Sequence, residues 1–361
     1  MENLLEIVNH FAIHGKVKNV SPFGNGHIND SYWVQTLSGA PHYVLQRINH
    51  QIFKDVEALQ NNIQRVTEHI RGKLAAQNTP DVDRRVLTLV STLDGKLYHK
   101  TPDGNYWRVM LYIADSQSVD AVSPELSYTA GRAFGNFQSM LADVPAPPLV
   151  ETIPNFHNIE ARLATFRESV KANRARRLSK VAYVVDEIEK RAGDMCQAEQ
   201  LHRQGQLPKR INHCDTKVNN VLFDNDGNVL CVIDLDTVMP GFVVSDFGDF
   251  MRTGANHGQE DDENLDNVYF LMDIFEAYTK GYLETAKSFL TPLEIKLLPF
   301  GAKLLTYMQT VRFLTDYLDG DIYYKIKHPE HNWQRTQAQF KLLQSIESNY
   351  DAMCQYIAKN L

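Results

Sequence analysis

The 361 residues are 43% hydrophobic, enough to bury a sizeable core in one two-lobed unit or two domains, which excludes general disorder. A net charge of −7 without a long basic run argues against nucleic acid or an anionic membrane surface as the main partner and in favour of a small molecule. No apolar run approaches bilayer length, MENLLEIVNHF carries no export signal and the four cysteines form no C-x-x-C pair, so a reduced, cytoplasmic protein is expected, with a monomer as the default.

The first 110 or so residues read as β-rich with one long helix. Strands are expected over Val17–Tyr32 with a Gly-containing turn, Tyr43–Ile48, Arg85–Val90, Lys96–His99 and Trp107–Ile113, and a helix over Asp55–His69. From Ser123-Pro124 the pattern turns helical, with an apolar stripe through Ala130, Phe134, Phe137 and Leu141. Further helices are expected near Asn267–Thr279 and from Pro292, where Thr291-Pro292-Leu293-Glu294 has the capping-box arrangement. These patterns predict an α+β fold of two lobes, β-rich over residues 1–114 and mainly helical over 115–361, an arrangement that resembles the protein-kinase-like fold.

The densest chemistry lies in INHCDTKVNNVLFDNDGNVLCVIDLD, residues 211–236. His213, Asp215, Lys217 and Asn220 follow the H-x-D-x-K-x-x-N order of a kinase catalytic loop. Phosphoryl transfer needs an in-line acceptor hydroxyl and neutralised phosphate oxygens. Asp215 is the candidate to accept the hydroxyl proton. Asn220 and Asp234 offer the hard oxygens that Mg²⁺ prefers. The apolar runs Val221–Phe223 and Val229–Ile233, joined by Asp224-Asn225-Asp226-Gly227-Asn228, form a hairpin that sets Asn220 beside Asp234. Taken singly, each Asp or Asn is equally a turn cap; the ordered set points to ATP-dependent phosphoryl transfer. Cys214 reads as a small buried thiol, not a nucleophile.

Upstream, Ser21–Asp30 holds Gly24, Asn25 and Gly26, whose backbone amides can face phosphates, although Gly-Asn-Gly between strands is also an ordinary hairpin turn. His27 and Asn29 either hydrogen-bond a ligand or serve as satisfied structural groups. Downstream, Asp236 is a second metal ligand or a turn acceptor, and Asp246 is expected to accept backbone amides and brace the catalytic loop. Arg312 either pairs with Asp316 one helical turn on or clamps a substrate. The cluster of Tyr317, Asp319, Asp321, Tyr323 and Tyr324 has the make-up of a sugar site or a surface turn.

At these residues the chain resembles the aminoglycoside phosphotransferase and choline kinase superfamily, and within it the N-acetylhexosamine 1-kinases. The resemblance runs through PFGNGHIND, YVLQRIN, GNYWRVMLYI, HCDTKVNNVLFD, VIDLDTVMPG, DFGDFMRTGA and RFLTDYLDGDIYY. It implies Asp215 as catalytic base, Mg²⁺ on Asn220 and Asp234, and Gly24–His27 as the nucleotide loop. It also implies a sugar pocket lined by His27, Asn29, Asp215, Asp234, Arg312 and Tyr323, with the adenine of ATP near Tyr112 and Ile113. The implied reaction converts ATP and N-acetylglucosamine or N-acetylgalactosamine into the α-sugar 1-phosphate and ADP.

One departure stands out: in Tyr43-Val44-Leu45-Gln46 a glutamine occupies the place of the nucleotide-facing lysine of V-A-I-K. Arg47 points to the other face of a regular strand. Lys217 is better placed to meet the γ-phosphate. Two other functions stay open at this stage. One is a kinase of choline, an amino alcohol or an aminoglycoside, for which Glu260-Asp261-Asp262-Glu263 is either an acidic cleft or a solvated surface. The other is a nucleotide-binding pseudokinase, which Gln46 favours.

Overall fold

The computed structural model describes residues 3–24, 28–37 and 39–360. The chain is α+β, and it divides into two compact units interleaved along the sequence. Unit 1 comprises residues 1–118, 140–154 and 220–239; unit 2 comprises 119–139, 155–219 and 240–361.

Unit 1 is built on an antiparallel sheet of β1 (Val17–Pro22), β2 (Asp30–Thr36), β3 (Tyr43–Ile48), β4 (Leu89–Val90), β5 (His99–Lys100) and β6 (Tyr106–Leu111). The strand order is β1-β2-β3-β6-β4, with β5 on β6. Alternation along the strands splits the two faces. Tyr43, Leu45, Trp107 and Val109 go to a core shared with Ile7, Val8, Phe11 and Val34, each such burial stabilising by about 1.5–3 kcal/mol. Ser31, Gln46 and Arg108 line up across β2, β3 and β6 in the other phase.

Helix Val56–Ala76 also belongs to this unit. Asp55 caps it by accepting from the Ala58 N–H at 2.9 Å, and Leu59, Ile63, Val66 and Ile70 form its buried stripe. The expected hairpin is present as Val221–Phe223 against Val229–Val232. Asp224 closes its turn by accepting from the N–H groups of Asp226 and Asn228, and Gly227 supplies φ 81°. The sequence pattern set this hairpin among helices, whereas its contacts place it in unit 1.

Unit 2 is helical. Its centre is Leu298–Asp319, buried along Leu304, Leu305, Met308, Val311 and Leu314, as expected of a helix apolar on most sides. Val243–Gly254 packs against it at very short range. A Cβ on Gly248 would sit 2.0 Å from the Gly301 carbonyl oxygen, and one on Gly301 would sit 2.1 Å from that of Val244, so only glycine allows this approach. Thr291 and Glu294 form the predicted reciprocal cap, and Arg210 binds the same Glu294 carboxylate through two N–H groups at 2.6 and 2.9 Å.

Several boundaries differ from the sequence pattern. Residues 82–85 form a helical turn, and only Leu89–Val90 of the expected strand pairs. Tertiary contacts explain it: Arg84 donates to the carbonyls of Ala114 and Asp115, and Arg85 to that of Val229. The helix expected from Asn267 begins at Met272, after a short 3₁₀ turn over Leu265–Asn267. A short strand at Arg210–Asn212, which the pattern did not indicate, leads into the catalytic-loop motif. Among the described residues no helix is long and apolar enough to cross a membrane.

Candidate active site

In unit 2 the loop after Arg210–Asn212 is held by carboxylates on helix Val243–Gly254. Asp246 accepts from the N–H groups of His213 (2.7 Å) and Cys214 (2.8 Å) and from the Gln138 amide (2.7 Å), the bracing expected of it. Burial pushes its carboxyl up to about 6, against the pull of His213 and these donors. Asp249 accepts from the Thr216 N–H at 3.0 Å, and Thr216 Oγ1 donates to the Asp246 carbonyl at 2.6 Å. Cys214 is buried and takes φ 64°, a left-handed conformation that a non-glycine residue holds only when its surroundings impose it.

These contacts fix the backbone on both sides of Asp215. Its carboxylate meets the Lys217 ammonium at 2.9 Å, both side chains being half-buried. Burial pushes the Asp215 carboxyl up, but Lys217, His213 and Arg252 together hold it below the usual Asp value. The same pairing raises Lys217. Asp215 is therefore ionised at neutral pH, the state a proton acceptor needs.

A second polar cluster lies in unit 1. The Ile233 N–H donates to the Asn220 carbonyl at 2.9 Å, which sets Asn220 next to Asp234 across the root of the hairpin. Asp234 takes φ 60°, ψ 57° and is exposed. Asp236 is not left for a metal. Arg108 Nη1 donates to its Oδ1 at 2.5 Å and the Asn29 amide to its Oδ2 at 2.5 Å. Asn29 Oδ1 in turn accepts from the Asn49 N–H at 2.9 Å, so both ends of that amide are engaged within the unit. Arg47 pairs with Asp30 across β2 and β3, both side chains half-exposed, on the face away from Gln46.

Gly24, Gln46, Tyr112, Ile113 and Asp234, drawn from four separate stretches of sequence, line one cavity of about 380 Å³ in unit 1. Its walls are Val44, Ile63, Leu87, Met110 and Leu222, with polar groups from Ser31, Arg108 and Asp236. That size and mix suit a planar heterocycle carrying polar substituents. Asn25, Gly26 and His27 lie outside the described residues. Among the described residues no three His, Cys, Asp or Glu side chains cluster as a closed metal cage. Two oxygen ligands at Asn220 and Asp234 nevertheless fit Mg²⁺, which keeps waters and substrate phosphates in its shell.

Arg312 and Tyr323 line a different cavity, about 210 Å³, wholly in unit 2. The Arg312–Asp316 pair is not formed. Asp316 instead accepts from the N–H groups of Ile322 (2.9 Å), Tyr323 (2.8 Å) and Tyr324 (3.0 Å) and from the Asn332 amide, so it shapes the loop that carries the tyrosines. Arg312 donates to Gln309 Oε1 at 3.0 Å and lies over the rings of Phe156 and Tyr324. Arg162 joins it in the cavity wall, and burial together with the Arg312 charge pulls it down to about 10. Burial and the same two guanidinium groups hold His157 neutral, down to about 3, and its Nδ1 is sealed from solvent without a partner.

Sequence reasoning missed Arg108, Arg162 and His157. Arg108 alone left a signal, as a lone charge in the apolar run Tyr106–Leu111 whose phase matches Met110. The acidic run is neither an open cleft nor a free surface at its start. Glu260 pairs with Arg252, and Asp261 accepts from His331 and Lys327.

The fold matches solved kinases along almost the whole chain. A spectinomycin phosphotransferase solved with ADP and spectinomycin aligns with TM-score 0.57 and 12% identity over 96% of this chain and 97% of that one. A microcompartment-associated aminopropanol kinase aligns with TM-score 0.58 and 14% identity over 97% of both chains. A choline/ethanolamine kinase family protein from Mesorhizobium loti aligns with TM-score 0.57 and 16% identity over 98% of this chain and 97% of that one. The family model for the phosphotransferase enzyme family, APH, matches residues 19–283. With the catalytic-loop motif braced inside that span, the chain belongs to the APH phosphotransferase enzyme family.

Proposed function

We propose that this chain is an ATP-dependent kinase that phosphorylates N-acetylhexosamines at the anomeric oxygen. The unit 2 cavity carries the choice of acceptor. Two guanidinium groups and two tyrosines face it, while its carboxylates are already bound, Asp316 by the loop amides and Asp319 by Arg174 and Ser169. A cationic acceptor such as choline, an amino alcohol or an aminoglycoside meets like charge there. An uncharged sugar finds N–H and O–H donors for its oxygens and rings for its apolar faces, which supports the sugar reading.

Each residue then has a role. The ionised Asp215 orients the anomeric hydroxyl and takes its proton as that oxygen bonds to the γ-phosphorus and the bond to the β,γ-bridging oxygen breaks, releasing ADP. Lys217 holds Asp215 ionised and offers its N–H donors to the transferring phosphoryl oxygens. Arg312 and Tyr323 orient the sugar, and the apolar wall from Tyr112 to Leu222 holds the adenine. Asn220 and Asp234 would hold Mg²⁺, whose chemistry is to neutralise charge on the phosphate oxygens.

Incubation with Mg-ATP and a panel of N-acetylhexosamines, plain hexoses, choline and an aminoglycoside tests the proposal, with ADP release and phosphorus NMR as readouts. An anomeric phosphate is expected from the N-acetylated sugars. Phosphorylation of choline or an aminoglycoside in their place overturns the acceptor assignment and leaves the kinase intact.

A further inference from the structure

The β3 position that carries a phosphate-binding lysine in kinases is Gln46 here, and nothing in the function proposed so far supplies that cation from the sheet. We infer that Arg108 on β6 is the phosphate-binding cation of the unit 1 cavity. This rests on the reading of the chain as an ATP-dependent kinase.

Position comes first. Arg108 is the register partner of Gln46, which is the partner of Ser31, so the three side chains form one row across β2, β3 and β6 on the face that lines the cavity. The row is one lattice of hydrogen bonds. Arg108 donates to Gln46 Oε1 from Nε at 2.9 Å and from Nη2 at 2.7 Å, and the Gln46 amide donates to Ser31 Oγ at 2.9 Å. A glutamine is thus the residue that suits an arginine at 108. It offers a neutral acceptor, whereas a lysine would set two cations side by side with no acceptor between them.

Charge and valence come next. Arg108 is 2% exposed, and a buried guanidinium needs a counter-ion, which Asp236 provides. That carboxylate is also bound by the Asn29 amide, so the counter-ion of Arg108 is itself fixed in place, the arrangement that a Lys–Glu pair provides in an ordinary kinase. Of the five N–H bonds of a guanidinium, the contacts to Gln46 and Asp236 use three. One N–H on each terminal nitrogen remains, on a residue that lines the cavity also containing Asp234. Paired donors of this kind suit the oxygens of a polyphosphate.

Binding of ADP and of adenosine, measured by calorimetry with Mg²⁺ present, separates this role from a structural one. In Arg108→Met, ADP affinity is expected to fall about 10- to 100-fold, the worth of one or two charge-assisted hydrogen bonds, with adenosine affinity unchanged. Unchanged ADP affinity, or an equal loss for both ligands, overturns the inference. Should Arg108→Met not fold, as judged by its melting curve, the double variant Gln46→Lys/Arg108→Gln decides. It returns the cation to β3 beside Asp236 and is expected to keep the preference for ADP over adenosine. A folded double variant without that preference overturns the inference. Failure of the unmutated protein to bind ADP at all would overturn the kinase reading and this inference with it.

Discussion

At the scale of single residues, the pair Asp215–Lys217 sets the pH behaviour. Lys217 is among the groups that hold Asp215 below its ordinary value against the opposing effect of burial. A carboxyl with a lowered folded-state pKa stabilises the fold above the unfolded value of 3.8, and loses that contribution as pH falls through its lowered value. With Asp215 as the proposed base, activity is therefore expected to stay flat through neutral pH and to fall only in acid. Lys217→Ala removes the main opposing charge and leaves burial to push Asp215 up. The acid limb of kcat/KM is then expected to move to higher pH, and kcat to fall about 10²- to 10³-fold with the lost phosphoryl contact. A full pH–rate profile of the variant checks both; an unmoved acid limb would show that Lys217 does not set the Asp215 charge. The order and spacing of the motif residues stand in the sequence itself, and the roles proposed for them rest on that order. Of Arg108 the sequence shows only a lone charge in an apolar run, because its meaning comes from the strand partner opposite it, Gln46, sixty-two positions away in sequence.

At the scale of elements, the helix pair Val243–Gly254 and Leu298–Asp319 transmits packing to chemistry. Asp246 and Asp249, which brace the loop around Asp215, stand on either side of Gly248, where the two helices approach too closely for a side chain. Gly248→Ala forces a methyl group into the Gly301 carbonyl, so the helices must part. A destabilisation of about 1–3 kcal/mol is expected from such overpacking, read by urea unfolding. Turnover should fall as well, because the carboxylates shift with their helix. An alanine variant with unchanged stability would show that the pair can separate freely. Helix caps at Ser123 and Thr291 were readable because they depend on residues within one turn. The helical turn at 82–85 was not, since distant carbonyls at Ala114 and Val229 claim Arg84 and Arg85.

At the scale of the whole molecule, the alternation of apolar residues exposed the β-rich and helical character of the chain, while the interleaving of its two units stayed hidden. Three separate segments build unit 1, and the hairpin within 220–239, a two-stranded sheet of its own, joins that unit after a long helical stretch, a long-range association that local periodicity does not encode. The same division yields a test of the ligand assignments. The cavity proposed for the nucleotide is lined wholly from unit 1 and the one proposed for the acceptor wholly from unit 2. A ligand at about 100 times its Kd stabilises the state that binds it by about 2.7 kcal/mol, enough to slow amide exchange about 100-fold where exchange requires that site to open. Mg-ADP is therefore expected to protect β3, β6 and residues 220–236, and N-acetylglucosamine to protect residues 309–324. Hydrogen exchange followed by mass spectrometry resolves these segments. Protection of 309–324 by Mg-ADP alone, with β3 and β6 unchanged, would exchange the two assignments. The pattern expected here would instead tie each ligand to the side chains that its chemistry selects.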